Sequence, residues 1–275
     1  IYAPSMVFIA KAFHVSNSLI KNTITATVLG WTLGAIVFGT LIDTLGRKKT
    51  LQYSLCLYVG VTALAFECHS ISLLMLIRFL QGAGTVCLSI GTRALIIDTL
   101  HGKRYHLAML YTSTGYGLGP VLGPAIGGLL QHHYGWQANF LALLIFSSAL
   151  LLITVLFLKE SRAATRPIPV SQFAHDYKMI LQHRRFLAGV ILLALTATQM
   201  LLYPTLGPFI LQQHLHYQAD TVGLTMLIVG LGYLSGNGLN RLLLPHTSIR
   251  YTSRLAYCLL ALAGLLATVF AVSTS

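Results

Sequence analysis

The stretch Gly39-Thr40-Leu41-Ile42-Asp43-Thr44-Leu45-Gly46-Arg47-Lys48-Lys49 decides how this chain folds. Before it, residues 18–42 are almost wholly apolar; after it, a second apolar run covers 50–68. Between the runs, one acid and three bases sit in a turn marked out by two glycines. Gly39 lets helices approach closely, and Gly46 supplies a turn conformation that other residues resist. Asp43 falls at the edge of the apolar run, where an unpaired charge is costly in lipid. The pattern reads as two bilayer-crossing helices joined by a tight, basic bend.

Outward from this bend the same grammar repeats. A spanning helix needs roughly 20 mostly apolar residues. Runs of that kind also fall at 72–97, 106–130, 138–158, 186–211, 221–243 and 252–272, making eight full spans. Ile1 to Ala10 is apolar but short, and is expected to be the tail of a truncated first helix. Of the 275 residues 55% are hydrophobic and 9% charged, against about 25% charged in a soluble domain. Too little polar surface exists to cover so much apolar surface in water.

The net charge of +12 is a matter of loop placement. Arg47, Lys48, Lys49, Lys103, Arg104, Lys159, Arg162, Arg166, Lys178, Arg184, Arg185, Arg241, Arg250 and Arg254 fall in or beside one alternate set of connections. The opposite set, near 69–71, 131–137 and 212–220, carries no Lys or Arg, and Lys11 and Lys21 alone break the pattern. The basic set is therefore cytoplasmic. No basic face interleaved with aromatics is present, which excludes nucleic acid as a partner. Cys56, Cys68, Cys87 and Cys258 show no metal-ligand or disulfide spacing, so no metal site is expected.

Three groups of residues carry chemistry. Arg78 stands in an otherwise apolar span, where it must reach water or a partner or else snorkel outward; Gln81, at i+3, shares its face. Arg93 and Asp98 fall near the cytoplasmic end of the same span. In the next span Gly115, Gly119, Gly123 and Gly127 recur every fourth residue, with Pro120, Pro124 and Gly128 among them. This makes a stripe nearly free of side chains, against which another helix can pack, on a helix that the prolines bend. Tyr2, Arg78, Gln81, Gln199, Met200 and Tyr203 are candidates to face a central cavity, and Pro204 and Pro208 are expected to break the seventh helix into a gate. Trp136 reads as an interfacial anchor. The acids Asp43, Glu67, Asp98, Glu160, Asp176 and Asp220 all lie at span ends or in connections, so no complete span holds a proton-carrying carboxylate at its middle.

Residues 39–48 resemble the loop signature G-x-x-x-D-x-x-G-R-[KR] of the major facilitator superfamily at every fixed position. Arg78-Phe-Leu-Gln81-Gly82-Ala-Gly84 is similar to that family's R-x-x-Q-G-x-G. Gly119-Pro-Val-Leu-Gly123-Pro124-Ala-Ile-Gly127-Gly128 resembles the motif of its drug:proton antiporter branch, although Leu110 stands where the extended pattern has glycine. Tyr2-Ala-Pro4 and Pro208-Phe-Ile-Leu-Gln are similar to segments of Bcr/CflA-type multidrug exporters.

The resemblance implies an all-α polytopic membrane protein of the major facilitator fold. That fold has two six-helix bundles, here from part of helix 1 through helix 9. The divisions expected are 1–158 for the first bundle, 159–185 for a cytoplasmic linker and 186–275 for part of the second. It implies that Arg78 and Asp43 take part in proton coupling. Gly39, Asp43, Gly46, Arg47, Lys48 and Asp98 would form a loop and charge cluster that latches the outward-facing state. Gly115, Gly119, Gly123, Pro124, Gly127 and Gly128 would form the antiporter motif. The function implied is export of drugs or small amphipathic metabolites by proton antiport, through a monomer in the bacterial cytoplasmic (inner) membrane. Its partners would be the substrate and the lipid bilayer, and its energy source a proton gradient rather than a cofactor. An importer or facilitator of the same fold, for a sugar, organic acid or siderophore, is the alternative. No nucleophile–base pair or phosphate loop points to an enzyme.

Overall fold

The structure, a computed structural model, describes residues 1–161, 179–243 and 246–273. Most of the linker expected at 159–185 lies outside the described residues, as do the side chains of Gln199, Met200 and Arg241. All regular structure among the described residues is helical. A 3-10 turn, Ala3–Ser5, leads into α1 (Met6–Ala12). There follow α2 (Asn17–Leu45), α3 (Arg47–Leu64), α4 (Ile71–Thr99), α5 (Gly102–Tyr134) and α6 (Gln137–Phe157). Beyond the linker come α7 (Arg184–Phe209), a π-helical turn (Ile210–His214), α8 (Ala219–Leu243) and α9 (Ile249–Ser273).

Helices α2 to α9 stand where the eight apolar runs stand. Several reach beyond them, because backbone hydrogen bonding does not stop where hydropathy falls. In α5, for example, the polar turns Gly102-Lys-Arg-Tyr and Gln131-His-His-Tyr are helical. Among the described residues, five helices are long and apolar enough to cross a membrane on length and composition alone: Asn17–Leu45, Ile71–Thr99, Gln137–Phe157, Phe186–Gln213 and Ala219–Asn240. Helix α3 is diluted by Arg47, Lys48 and Lys49, and α5 by its glycines and polar ends. The outward faces are apolar. Leu29, Leu33, Ile36 and Val37 of α2 and Ile145, Leu152, Leu156 and Phe157 of α6 are all exposed, as suits contact with acyl chains.

The described chain forms two compact units, Ile1–Leu227 and Ile228–Ser275. In the first, α2 and α4 make the most intimate contact, and glycines explain why. A Cβ on Gly30 would stand 1.9 Å from the Phe79 carbonyl oxygen, and one on Gly82 would stand 2.1 Å from that of Thr27. Gly34 meets the Ala83 backbone in the same seam. Backbone-to-backbone approach of this kind replaces the hydrophobic drive that lipid removes. Helix α3 packs on α4 and α6, with Gly84 against the Ser54 carbonyl. At the outer end Tyr2, Met6, Ile9, Ile20, Leu74, Ile77 and Phe140 form a buried apolar core. Trp136 is half-buried against Phe13 and Phe140. In the second unit, α9 and the inner half of α8 enclose a groove lined by Gly236, Leu239, Asn240, Thr252 and Ala256.

The expected break of the seventh helix is corrected. Helix α5 runs unbroken through Pro120 and Pro124, and α7 through Pro204 and Pro208. The disturbance in α7 comes after its prolines, in the π-helical turn, where the Leu215 amide donates to the Ile210 carbonyl. Proline removes one donor, and a widened turn re-satisfies the freed groups without ending the helix.

Candidate functional site

At the inner end of the first bundle, α2 stops at Leu45 and α3 starts at Arg47. The whole bend is Gly46, whose φ of 95° is in the left-handed region that glycine tolerates. The guanidinium of Arg47 turns back into the bundle and is 4% exposed. It donates to Asp43 Oδ1 at 2.7 Å, to Asp98 Oδ2 at 2.8 Å and to the Ile42 carbonyl at 2.6 Å. Burial works against this charge, but hydrogen bonding and Coulombic attraction from Asp98 and Asp43 outweigh it and raise the Arg47 pKa.

Glu160, at the end of α6, completes the cluster. Its carboxylate accepts the backbone N–H of Arg47 at 2.8 Å and of Lys48 at 3.1 Å. An anion here satisfies the first orphan donors of α3 and meets the positive end of its dipole. It also fills the space beside Gly46, where a Cβ would stand 2.8 Å from the carboxylate. Lys48 reaches the Val155 carbonyl. The sequence pointed to Asp43, Arg47 and Asp98, but Glu160 was missed. Its only signal was an acid directly following an apolar run on the basic side.

The second constellation lies inside the bundle. Arg78 donates to Gln81 Oε1 at 2.8 Å, and Gln81 Nε2 donates to Thr62 Oγ1 at 2.8 Å. The Arg78 guanidinium lies 4.4 Å from the centre of the Tyr2 ring, and the Tyr2 hydroxyl meets Thr23 Oγ1 at 2.8 Å. Arg78 therefore does not snorkel; it is held by α2, α3, α4 and the opening segment. These side chains edge a cavity of about 720 Å³, walled on the other side by Gly115, Gly119, Gly123, Leu122 and Phe146.

The cavity joins a trough that runs toward the inner end of α4 and α5, through the shared Thr85 and Gly115, past Ser89, Thr92 and Thr112. Its outer end is covered. A Cβ on Gly127 would strike the Ile1 backbone, one on Gly128 the Ala219 carbonyl, and one on Gly223 the Pro124 carbonyl. Gln212 donates to the Pro4 carbonyl, and the Asn17 and Gln213 amides pair reciprocally at 2.6 and 3.1 Å. Lys21, one of the two exceptions to the charge pattern, stacks 4.5 Å over Phe209.

A loop signature with its charges paired, an arginine inside a helical bundle and a cavity walled by a glycine stripe are now in one unit, and sequence comparison agrees. The Major Facilitator Superfamily model matches residues 1–275. The chain belongs to the major facilitator superfamily. Superfamily members are transporters, not enzymes.

This facilitator chain is 28% identical over 238 residues to the chloramphenicol resistance protein CraA of Acinetobacter baumannii, covering 85% of the chain and 57% of that relative. It is 28% identical over 242 residues to the MFS-type transporter YdgK of Bacillus subtilis, covering 86% and 60%. It is 23% identical over 223 residues to the multidrug resistance protein MdtL of Klebsiella pneumoniae, covering 81% and 57%. The chain thus spans somewhat over half the length of these relatives.

Within the superfamily fold the candidate residues divide. Tyr2, Arg78 and Gln81 share the cavity. Tyr203 does not line it: its ring covers Gly207 and its hydroxyl bonds Thr225. Gln199 and Met200 have side chains outside the described residues. Asp43 and Arg78 are not brought together. Asp98, which shares Arg47 with Asp43, lies 20 residues beyond Arg78 on α4, roughly 30 Å at 1.5 Å per residue.

The glycine stripe has different neighbours along its length among the described residues. Gly127 and Gly128 meet backbone, but beside Gly115 and Gly119 a Cβ would find no atom within 4 Å. Gly39, expected at a close helix contact, likewise faces open space. The bonded partners of the Arg47 side chain lie on α2 and α4, and Glu160 ties in α6, so the cluster clips the inner end of one bundle.

Proposed function

We propose that this chain is part of a secondary active transporter that exports drugs or small amphipathic metabolites, with a proton gradient as its energy source and no cofactor. The observation that carries the reading is the Arg78–Gln81–Tyr2 constellation on a cavity lined by Gly115 and Gly119. CraA is a chloramphenicol resistance protein and MdtL a multidrug resistance protein, which favours export over import. In this reading the bundles are 1–158 and 186–275, with 159–185 as the cytoplasmic linker. The protein works as a monomer in a bacterial cytoplasmic membrane.

The outer seam and the trough toward the inner end belong to a state closed outside. Substrate enters from the cytoplasm, the bundles rock, and the seam of Asn17–Gln213 and Gln212–Pro4 parts. Arg78 is the coupling residue, exchanging its bond to Gln81 for one to substrate as the site changes sides. Asp43 acts with Arg47, Lys48, Asp98 and Glu160 at the inner end, keeping the bend between α2 and α3 rigid while the bundle turns.

The test is transport in vesicles holding the purified full-length protein, inverted so that the cytoplasmic face is outside. With an acidic lumen, substrate should accumulate and should leave when the pH gradient is collapsed. Uptake indifferent to the gradient would remove proton antiport from the proposal. Arg78→Ala should abolish accumulation while leaving the protein folded; transport at the wild-type rate would remove Arg78 from its role.

A further inference from the structure

The first turn of α6 holds a buried amide. Asn139 is 2% exposed and stands next to Phe140, a member of the outer apolar core. Taking an amide out of water is costly unless its bonds are made inside the protein. Asn139 Nδ2 donates to Ser5 Oγ at 2.5 Å and to the Gly127 carbonyl at 3.3 Å. One side chain thus joins α6 to α5 and to the opening turn, 134 residues earlier in the chain. An apolar side chain would fill the same place without that cost. What the amide adds is a grip on Ser5, which is itself fully buried.

The gripped turn touches two other places. On the inner side, the Tyr2 ring lies under the Arg78 guanidinium, its hydroxyl meets Thr23, and its edge packs on Phe140 at 6.1 Å between centres. On the outer side, the Pro4 carbonyl accepts Gln212 Nε2 at 2.8 Å, from the π-helical turn that follows α7. The Ser5 amide donates to the Tyr2 carbonyl at 3.1 Å, and the ring of Pro4 fixes the torsion between them. Residues 2–5 are therefore one closed turn that moves as a piece. Asn139 fastens that piece to α5 and α6, and Gln212 fastens it to α7. The two bonds are links in series between the first bundle and α7.

We infer that Asn139 is a positioning residue of the transport cycle. By holding Ser5 it sets the turn so that the Pro4 carbonyl meets Gln212 while Tyr2 lies on Arg78, and the outer seam closes against a fixed partner. With that hold gone, the Gln212 bond closes on a loose turn and adds nothing to the closed state. The inference rests on the transporter reading above and names a residue that regulates its outer seam.

The test reads how often the seam opens. Val222 is fully buried on α8, beside the Gly223 that meets the Pro124 carbonyl in the same seam. The parent is the full-length protein with Val222→Cys and with Cys56, Cys68 and Cys258 replaced by alanine. Native Cys87, fully buried and bonded to the Thr50 carbonyl, stays as a second thiol. In right-side-out vesicles a membrane-impermeant maleimide should reach the introduced thiol when the seam parts, and Cys87 only on unfolding. Asn139→Ala and Gln212→Ala should each speed labelling of the introduced thiol roughly fivefold, the worth of one net hydrogen bond, with Cys87 unchanged. The double variant should be no faster than either, because links in series are broken once. Multiplied effects in the double variant, or equal acceleration at Cys87, overturn the inference. Should Asn139→Ala fail to fold, Ser5→Ala removes the same bond from its other side and is read in the same way. Labelling needs neither substrate nor gradient. An unchanged rate in Asn139→Ala beside normal drug transport by the parent overturns the inference alone. The expected labelling pattern in a protein that transports nothing supports the role of Asn139 in the seam and sinks the exporter reading.

Discussion

Replacing Arg47 by alanine tests the inner-end cluster most directly. The side chain is 4% exposed and makes three short bonds, so its loss takes a charged donor from two carboxylates and a helix-end carbonyl. The contributions differ with exposure. Asp98 is 23% exposed, which places its charge-assisted bond near the lower end of its class, about 1.5 kcal/mol. Asp43 is 46% exposed and stands at i,i+4, so solvent screening reduces its pair to about 0.5 kcal/mol. The bond to the Ile42 carbonyl adds about 1 kcal/mol. The loss should total about 3 kcal/mol, or roughly two decades in the folding equilibrium. Trp31 and Trp136, the protein's two tryptophans, both lie in the affected unit and report its unfolding by fluorescence in mixed micelles. Asp98→Asn should cost more than Asp43→Asn, and a double-mutant cycle between Arg47 and Asp98 should return the larger coupling. A loss below about 1 kcal/mol for Arg47→Ala, or the reverse order of the two aspartates, would refute the account.

Three further outcomes follow from the packing. Gly82→Val pushes side-chain atoms into the Thr27 carbonyl and should cost upward of about 3 kcal/mol in stability, whereas Gly39→Ala, with no atom within 4 Å, should unfold like the wild type; size-exclusion yield and unfolding midpoints separate the two. Gly119→Leu fills open space without touching backbone, so the variant should fold normally and bind an amphipathic probe roughly tenfold more weakly; unchanged affinity would remove Gly119 from the cavity. Asn17→Cys with Gln213→Cys, made after replacing the exposed Cys56 and Cys258, should be joined from the outer side by a short membrane-impermeant crosslinker, with transport arrested; full crosslinking with undiminished transport would show that the seam does not open.

Some of the site was legible because it is local. Arg78 and Gln81 stand at i,i+3 on a helix, so their bond follows from helical geometry once the span is recognised. Arg47 and Asp43 stand at i,i+4 around a bend that Gly46 makes possible. Glu160 was not legible. It lies 113 residues from Arg47, and only the stacking of α6 on α3 carries it to that helix's first turn. The glycines divide on the same principle. Periodicity marks Gly115, Gly119, Gly123 and Gly127 as one face of α5, but not whether that face meets a helix, backbone or empty space. It also does not single out Gly30, Gly34 and Gly82, which form the tightest seam in the first unit.

The amino-acid sequence by itself determined the solvent, the spans and the orientation of this protein. Those depend on hydropathy and loop charge, which are sums over neighbours along the chain, and lipid enforces them through the cost of exposed backbone and buried charge. Tertiary structure decided what the marked residues touch. It set Arg47 against carboxylates from three helices' ends and Arg78 against Gln81 and the Tyr2 ring. It closed Gly127 and Gly128 under backbone. In lipid, helices associate through close packing and a few polar contacts rather than through hydrophobic burial. Which faces meet is settled only when the helices pack together.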